Sequence, residues 1–395
     1  MLEWRRNTPM SKKEKNTSSG DQRWRAAFFI VTAAIVGYFA ATYWKGASSD
    51  INVPVSKKKV EYTYNEAIAE ADEAIWNDDA ALYSYVKKFG PKRTITHLHE
   101  LSAKFGDCHQ TAHEAGRFSY DLLDAKAFKE CSSECHSGCY HGATEAYFRD
   151  HGTANLQKDL QTICSSELNS FFSHQCLHGI GHGLLAWSNY EVLDAVKNCD
   201  LLDRGQSSCW TGVFMENIVG GLGAIEGHTS KFLSDDPLYP CNDPNLGEQY
   251  KSSCYFLQTS RMMQLFMGDF KKIADACSKA PQTYQRSCFE SMGRDVGGVH
   301  RGSAASAIAQ CSHAPKGDMR IGCLIGAAQD TFWDPSGQDI ALGFCKLLSD
   351  KGEKDACYNV ILGRAPEVLG SKEAIGTFCQ KAEPAYREQC MAYAR

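Results

Sequence analysis

Three short segments between Cys108 and Gly183 carry the residues most suited to chemistry. They read Cys108-His109-Gln-Thr-Ala-His113, Cys139-Tyr-His141-Gly-Ala-Thr-Glu145 and Cys176-Leu-His178-Gly-Ile-Gly-His182. Each opens on a cysteine and places two metal-ligand types four residues apart. On an α-helix, positions i and i+4 share one face, one above the other. Three helices would thus present His109, His113, His141, Glu145, His178 and His182 as ligand pairs. Five imidazoles and a carboxylate exceed the three or four ligands of one zinc, so the set suits one or two ions. Nitrogen with oxygen fits zinc, copper or iron, and spacing alone does not choose among them.

A single pair at this spacing is common in helices, and a lone buried histidine is usually a hydrogen-bonded core residue. Register sets these apart. His141 and Glu145 follow Cys139 by two and six residues; His178 and His182 follow Cys176 by the same two and six. His109 and His113 follow Cys108 by one and five. After Cys209 the corresponding places hold Thr211 and Met215, so the expected ligand pattern stops there. Glu216 lies one place beyond the register of Glu145 and is the candidate general base or ligand-orienting carboxylate. Glu114 points off the face of His113. His97 and His99 cannot share a helical face, and His228 and His300 read as loop residues.

The elements that would position these residues come from the cysteines. The chain has 395 residues and 18 cysteines, none before Cys108. Couples form at 164 and 176, 199 and 209, 241 and 254, 277 and 288, 311 and 323, 345 and 357, and 379 and 390. The turn-rich stretches within couples are short, and helix-like apolar spacing fills the gaps between them. Second members, from Cys139 to Cys390, recur with a period near 34. Gly142, Gly179, Gly212 and Gly326 share one offset from theirs, which predicts close helix packing. The period predicts helical hairpins, each stapled at its turn by a disulfide that stabilises it by about 2–3 kcal/mol. Upstream, Tyr64 to Phe89 reads as one helix, broken by Gly90-Pro91, with Thr94 or Thr96 as cap of the next.

This period and cysteine logic resembles the tetratricopeptide and Sel1-like α-solenoids, above all secreted cysteine-rich Sel1-like proteins with one disulfide per hairpin. The resemblance spans about residues 63–395 and concerns architecture; it implies a stack of hairpins in which each contacts its neighbours. Cys108, Cys131, Cys135 and Cys139 remain outside the couples. Pairing Cys131 with Cys139 and Cys108 with Cys135 fits the repeat best. The alternative is that Cys131-Ser-Ser-Glu-Cys135-His136 is an expanded c-type haem attachment motif.

An even, high cysteine count points to an oxidising compartment, and the N-terminus agrees. Residues 1–25 are basic, with seven Lys and Arg, and read as a cytoplasmic tail. Ala26–Trp44 is uncharged, long enough at roughly 28 Å to cross a bilayer, and expected to be a transmembrane signal anchor rather than a cleaved signal peptide. Four lysines (Lys45 and Lys57 to Lys59) follow it, so the positive-inside rule exports the C-terminal side. Residues 45–62 read as a tether, and 63–395 as an extracytoplasmic, periplasmic or extracellular, all-α solenoid with its metal site in 108–183. A net charge of −5 gives no reason to expect nucleic acid. The expected function is a membrane-anchored metalloenzyme, hydrolytic or oxidative, acting on an extracytoplasmic protein or small molecule. The alternatives are a protein-binding scaffold with structural metal, and a metal storage or delivery protein.

Overall fold

A computed structural model describes residues 64–106, 108–132, 134–156, 158, 163–164, 170–219, 230–333 and 337–395. The segments expected as basic tail (1–25), anchor (26–44) and tether (45–62) lie outside them, as does His228. No helix among the described residues is long and apolar enough to cross a membrane. The described residues are helical, with no strand among them.

The first three helices are α1 (Tyr64–Asn77), α2 (Asp79–Phe89) and α3 (Pro91–Phe105). The run expected as one helix to Phe89 is broken at Asp78, whose carboxylate accepts from the Ala81 N–H at 2.7 Å. An Asx cap competes well with helix continuation when a second N-terminus can use it. Neither Thr94 nor Thr96 caps α3, because Pro91 already occupies its first turn. Thr94 instead donates to the Gly90 carbonyl and Thr96 to Glu134, both at 2.8 Å.

The site-bearing helices follow: α4 (His109–Leu123), the short α5 (Ala127–Glu130), α6 (Gly138–His151), α7 (Ser170–Trp187), α8 (Val192–Cys199) and α9 (Gln206–Val219). Next come α10 (Glu248–Tyr255), α11 (Thr259–Leu265), α12 (Phe270–Cys277), α13 (Gln282–Val299) and α14 (Ala304–Cys311). The chain continues through α15 (Asp318–Phe332), α16 (Gly337–Leu347), α17 (Lys351–Val368), α18 (Lys372–Gln380) and α19 (Pro384–Ala392).

All seven expected couples are disulfides, and Cys108–Cys135 and Cys131–Cys139 complete the set with no free cysteine. The haem alternative therefore fails, since neither Cys131 nor Cys135 has a thiol left to give. In the hairpins α8/α9, α12/α13, α14/α15, α16/α17 and α18/α19, the first cysteine lies at or near the end of one helix. Its partner lies one to two turns into the next. Replacing Cys345 and Cys357 together by alanine is expected to lower stability by about 2–3 kcal/mol through loop entropy. Urea denaturation of the oxidised proteins measures it.

Glycines set the closest helix approaches. A Cβ on Gly142 would stand 1.8 Å from the His113 carbonyl oxygen, and one on Gly116 2.2 Å from that of Cys139, so α4 and α6 touch backbone to backbone. Gly181 and Gly212 do the same for α7 and α9, at 2.0 and 1.9 Å from the Cys209 and His178 carbonyls. Gly179, grouped with these by offset, faces the His141 ring instead, at 3.2 Å. The array also departs from strict neighbour-to-neighbour packing. Helix α17 packs back against α7, and the Trp333 ring at the end of α15 lies 6.3 Å from that of His174 while Arg364 of α17 covers its face. The His174–Trp333 ring contact joins the distant repeats, and the Arg364 cation over the Trp333 face holds that ring in place.

Candidate metal centre

Helix α4 carries His109 and His113, α6 carries His141 and Glu145, α7 carries His178 and His182, and α9 carries Thr211, Met215 and Glu216. The glycine contacts draw α6 onto α4 and α9 onto α7, while α6 and α7 pack on each other between these pairs. All five expected histidines come together. Two groups have ligand atoms within 4.8 Å of one another: His109, His113 and His141, and His141, His178 and His182. A third, His99 with Cys108 and Cys135, is ruled out as a thiolate site because both sulfurs are disulfide-bonded.

Outer partners settle the tautomers. His109 Nδ1 lies 3.0 Å from the Cys135 carbonyl, which only accepts, so Nδ1 carries the proton. His113 Nδ1 donates to Glu145 Oε1 at 2.9 Å, and His182 Nδ1 to Glu216 Oε2 at 2.8 Å. His178 Nδ1 donates to Thr211 Oγ1 at 3.0 Å, because that hydroxyl places its own proton on the Ser208 carbonyl at 2.7 Å. In all four rings Nε2 is therefore the nitrogen without a proton. Yet His109 Nε2 and His113 Nε2 face each other at 3.2 Å, as do His178 Nε2 and His182 Nε2. Two lone pairs at that distance repel unless a cation lies between them. A proton is disfavoured there: burial, then neighbouring imidazoles, holds His113 down to about 3 and His178 well below its ordinary value. The separation matches two nitrogens on one tetrahedral ion at about 2.0–2.1 Å, whose mutual distance is roughly 3.3 Å.

His141 sits between the pairs. Its Nδ1 is 3.2 Å from His113 Nε2, and its Nε2 is buried without a hydrogen-bond partner. Its ring centroid is 5.2 Å from that of His109 and 5.0 Å from that of His113, both steeply tilted. That is the spread expected of three imidazoles on one ion. Against His182 it is stacked, 4.0 Å away and only 15° from parallel. Burial and the surrounding histidines keep His141 neutral, its pKa well below normal.

Glu145, expected as a ligand, is placed differently. Its oxygens take the His113 N–H and the Arg117 Nη1, the latter at 2.6 Å, so it orients a ligand rather than joining the converging set. The register put it on the correct helix and face but could not show that its reach ends at Nδ1. Burial pushes its carboxyl up to about 8 against the pull of Arg117. Arg117, an obligate donor on one oxygen, favours the carboxylate, the form to which His113 Nδ1–H donates on the other. Glu216 serves His182 in the same way, its other oxygen taking the Tyr190 hydroxyl at 3.0 Å. Burial alone would raise it, but the His182 and Tyr190 hydrogen bonds and the nearby histidines bring it down to about 2. A carboxylate engaged on both oxygens and this acidic suits ligand orientation, the outer-sphere alternative, better than general-base work.

Sequence reasoning missed two neighbours. Met215 Sδ lies 3.4 Å from His178 Nε2. His174, one turn before His178, is mostly buried, bonds Ser208 Oγ at 2.7 Å and has its ring 5.9 Å from that of His178. The spacing His174, His178, His182 was the available signal. His97 is committed elsewhere, to Asp72 at 3.0 Å. His109 and Met215 are only partly buried and give the cluster its solvent edge.

No family model, no curated protein and no solved structure matches this chain. The function therefore rests on the geometry.

Proposed function

We propose that the chain is an extracytoplasmic metalloprotein holding one or two transition-metal ions on His109, His113, His141, His178 and His182. Glu145 and Glu216 fix the tautomers of His113 and His182. The observation that carries this reading is the pair of Nε2–Nε2 contacts at 3.2 Å, each between rings whose protons are committed outward. Nine disulfides with no free thiol support an oxidising compartment, and Ala26–Trp44 is the proposed transmembrane signal anchor. Three imidazoles from α4 and α6 leave a tetrahedral ion one position for water or substrate, as catalytic rather than structural sites do. An ion held so would supply a Lewis acid or a redox centre, hence a hydrolytic or oxidative enzyme.

Elemental analysis of the full, oxidised chain tests it. About two equivalents of transition metal are expected in the wild type after expression with zinc, copper and iron supplied. A His178→Ala, His182→Ala double variant is expected to retain at most one, with its disulfides intact by mass spectrometry. A wild type carrying no stoichiometric metal would overturn the proposal and leave a binding array with a histidine-lined interior.

A further inference from the structure

We infer that His178, His182 and Met215 form a second, sulfur-containing subsite that takes copper in its cuprous state, distinct from the all-nitrogen set of His109, His113 and His141. This rests on the proposed function and names the metal for one half of the cluster.

The contact between His178 Nε2 and Met215 Sδ, at 3.4 Å, has the length of a hydrogen bond to sulfur but no proton to make one. A thioether carries none, and His178 has placed its ring proton on Thr211. His182 Nε2 is bare as well and lies 3.2 Å from His178 Nε2. Around His178 Nε2 thus stand a second bare nitrogen, from α7, and a bare sulfur, from α9. His141 has a ligand nitrogen within 4.8 Å of those of His178 and His182, but its ring is poorly set for a third ligand. Two imidazoles on one ion spread their centroids to roughly 5 Å, whereas His141 and His182 stack at 4.0 Å. Its Nδ1 is instead directed to His113, at 3.2 Å.

The sequence register supports the same assignment. Met215 follows Cys209 by six residues, as His182 follows Cys176. The ligand position thus continues into one more repeat, with its donor changed to sulfur. Thioether sulfur is soft and a weak partner for zinc or ferrous iron, so two imidazoles with one methionine favour Cu(I). Three donors also meet the low coordination number that a cuprous ion accepts. Met215 is partly exposed and stands where an ion would enter.

Met215→Leu keeps the side-chain bulk and removes the sulfur, so it tests the assignment in the full, oxidised chain. Cu(I) affinity would be measured anaerobically against a chromogenic chelator, and copper X-ray absorption would report a sulfur scatterer. Zn(II) would be titrated separately as a probe of the nitrogen set and of folding. The expected result is a Cu–S contribution in the wild type, lost in Met215→Leu with Cu(I) binding weakened about 10–100-fold. Zinc binding at His109, His113 and His141 is expected to be unchanged. Equal Cu(I) affinity and nitrogen-only scattering in both proteins would overturn the Met215 assignment while leaving the histidine reading intact. Failure of the wild type to bind either ion would overturn both.

Discussion

Gly142→Ala is expected to destabilise the folded chain by about 3 kcal/mol or more, the upper range for overpacking, and to abolish metal binding at His109 and His113. The added Cβ would stand 1.8 Å from the His113 carbonyl oxygen, 2.7 Å from its carbon and 3.0 Å from the Arg117 nitrogen. All three are backbone atoms of α4, so no rotamer change relieves the clash and the two helices must separate. Separation carries His141 away from His113 and Glu145 away from His113 Nδ1, contacts now at 3.2 and 2.9 Å. Stability and metal binding should therefore fall together. Gly343→Ala is the control: it sits within α16 with nothing within 4 Å of the new Cβ. There the better helix propensity should raise stability by up to about 1 kcal/mol. Chemical denaturation of the metal-free proteins, with zinc titration alongside, separates the two effects. A Gly142→Ala protein as stable as wild type would show that α4 and α6 are not held in backbone contact.

Glu145→Gln should weaken metal binding at the first histidine set by about 100-fold, the upper end for a change outside the ligands themselves, with little loss of folding stability. The reason is proton accounting. Glu145 accepts from His113 Nδ1–H on one oxygen and from Arg117 on the other. A glutamine amide offers one acceptor and one NH2, and a guanidinium can only donate. The amide oxygen must then turn to Arg117, leaving the NH2 against His113 Nδ1. To accept from it, His113 must move its proton to Nε2, the nitrogen that faces His109 at 3.2 Å. The proton fills the place of the metal. Glu216→Gln should be milder, about 10-fold at the second pair. Its other partner is the Tyr190 hydroxyl, which can rotate and accept from the amide, so His182 keeps its tautomer. Zinc and copper titrations of both variants, with imidazole nitrogen NMR for the tautomers, check the ordering. Equal effects at both sites would remove the tautomer argument.

These expectations divide between what is local in the chain and what is not. Disulfide pairing within hairpins was legible because each couple closes a single turn, as in Cys199–Cys209 and Cys345–Cys357. Helix class was legible from apolar spacing, and the five histidines from their i, i+4 spacing and their offset from successive cysteines. The break at Asp78 was missed because a capping side chain wins there over a run of good helix formers. The resemblance to Sel1-like arrays anticipated disulfide-joined helical hairpins but not the return of α17 to α7, which joins repeats far apart in sequence.

The composition and spacing of the chain by themselves determined that helical hairpins would be stapled in series and that five imidazoles would lie on neighbouring helices. Tertiary structure decided which polar group meets which nitrogen. It set Glu145 against His113 Nδ1, brought Met215 to His178 Nε2 and stacked His141 on His182. Those outcomes depend on the axial offset between helices whose residues are 32 to 41 positions apart. Glycine-to-carbonyl contacts set that offset between α4 and α6 and between α7 and α9, while glycines against side chains do so between α6 and α7. No local periodicity encodes it, and a shift of one residue would exchange ligand for orienting partner.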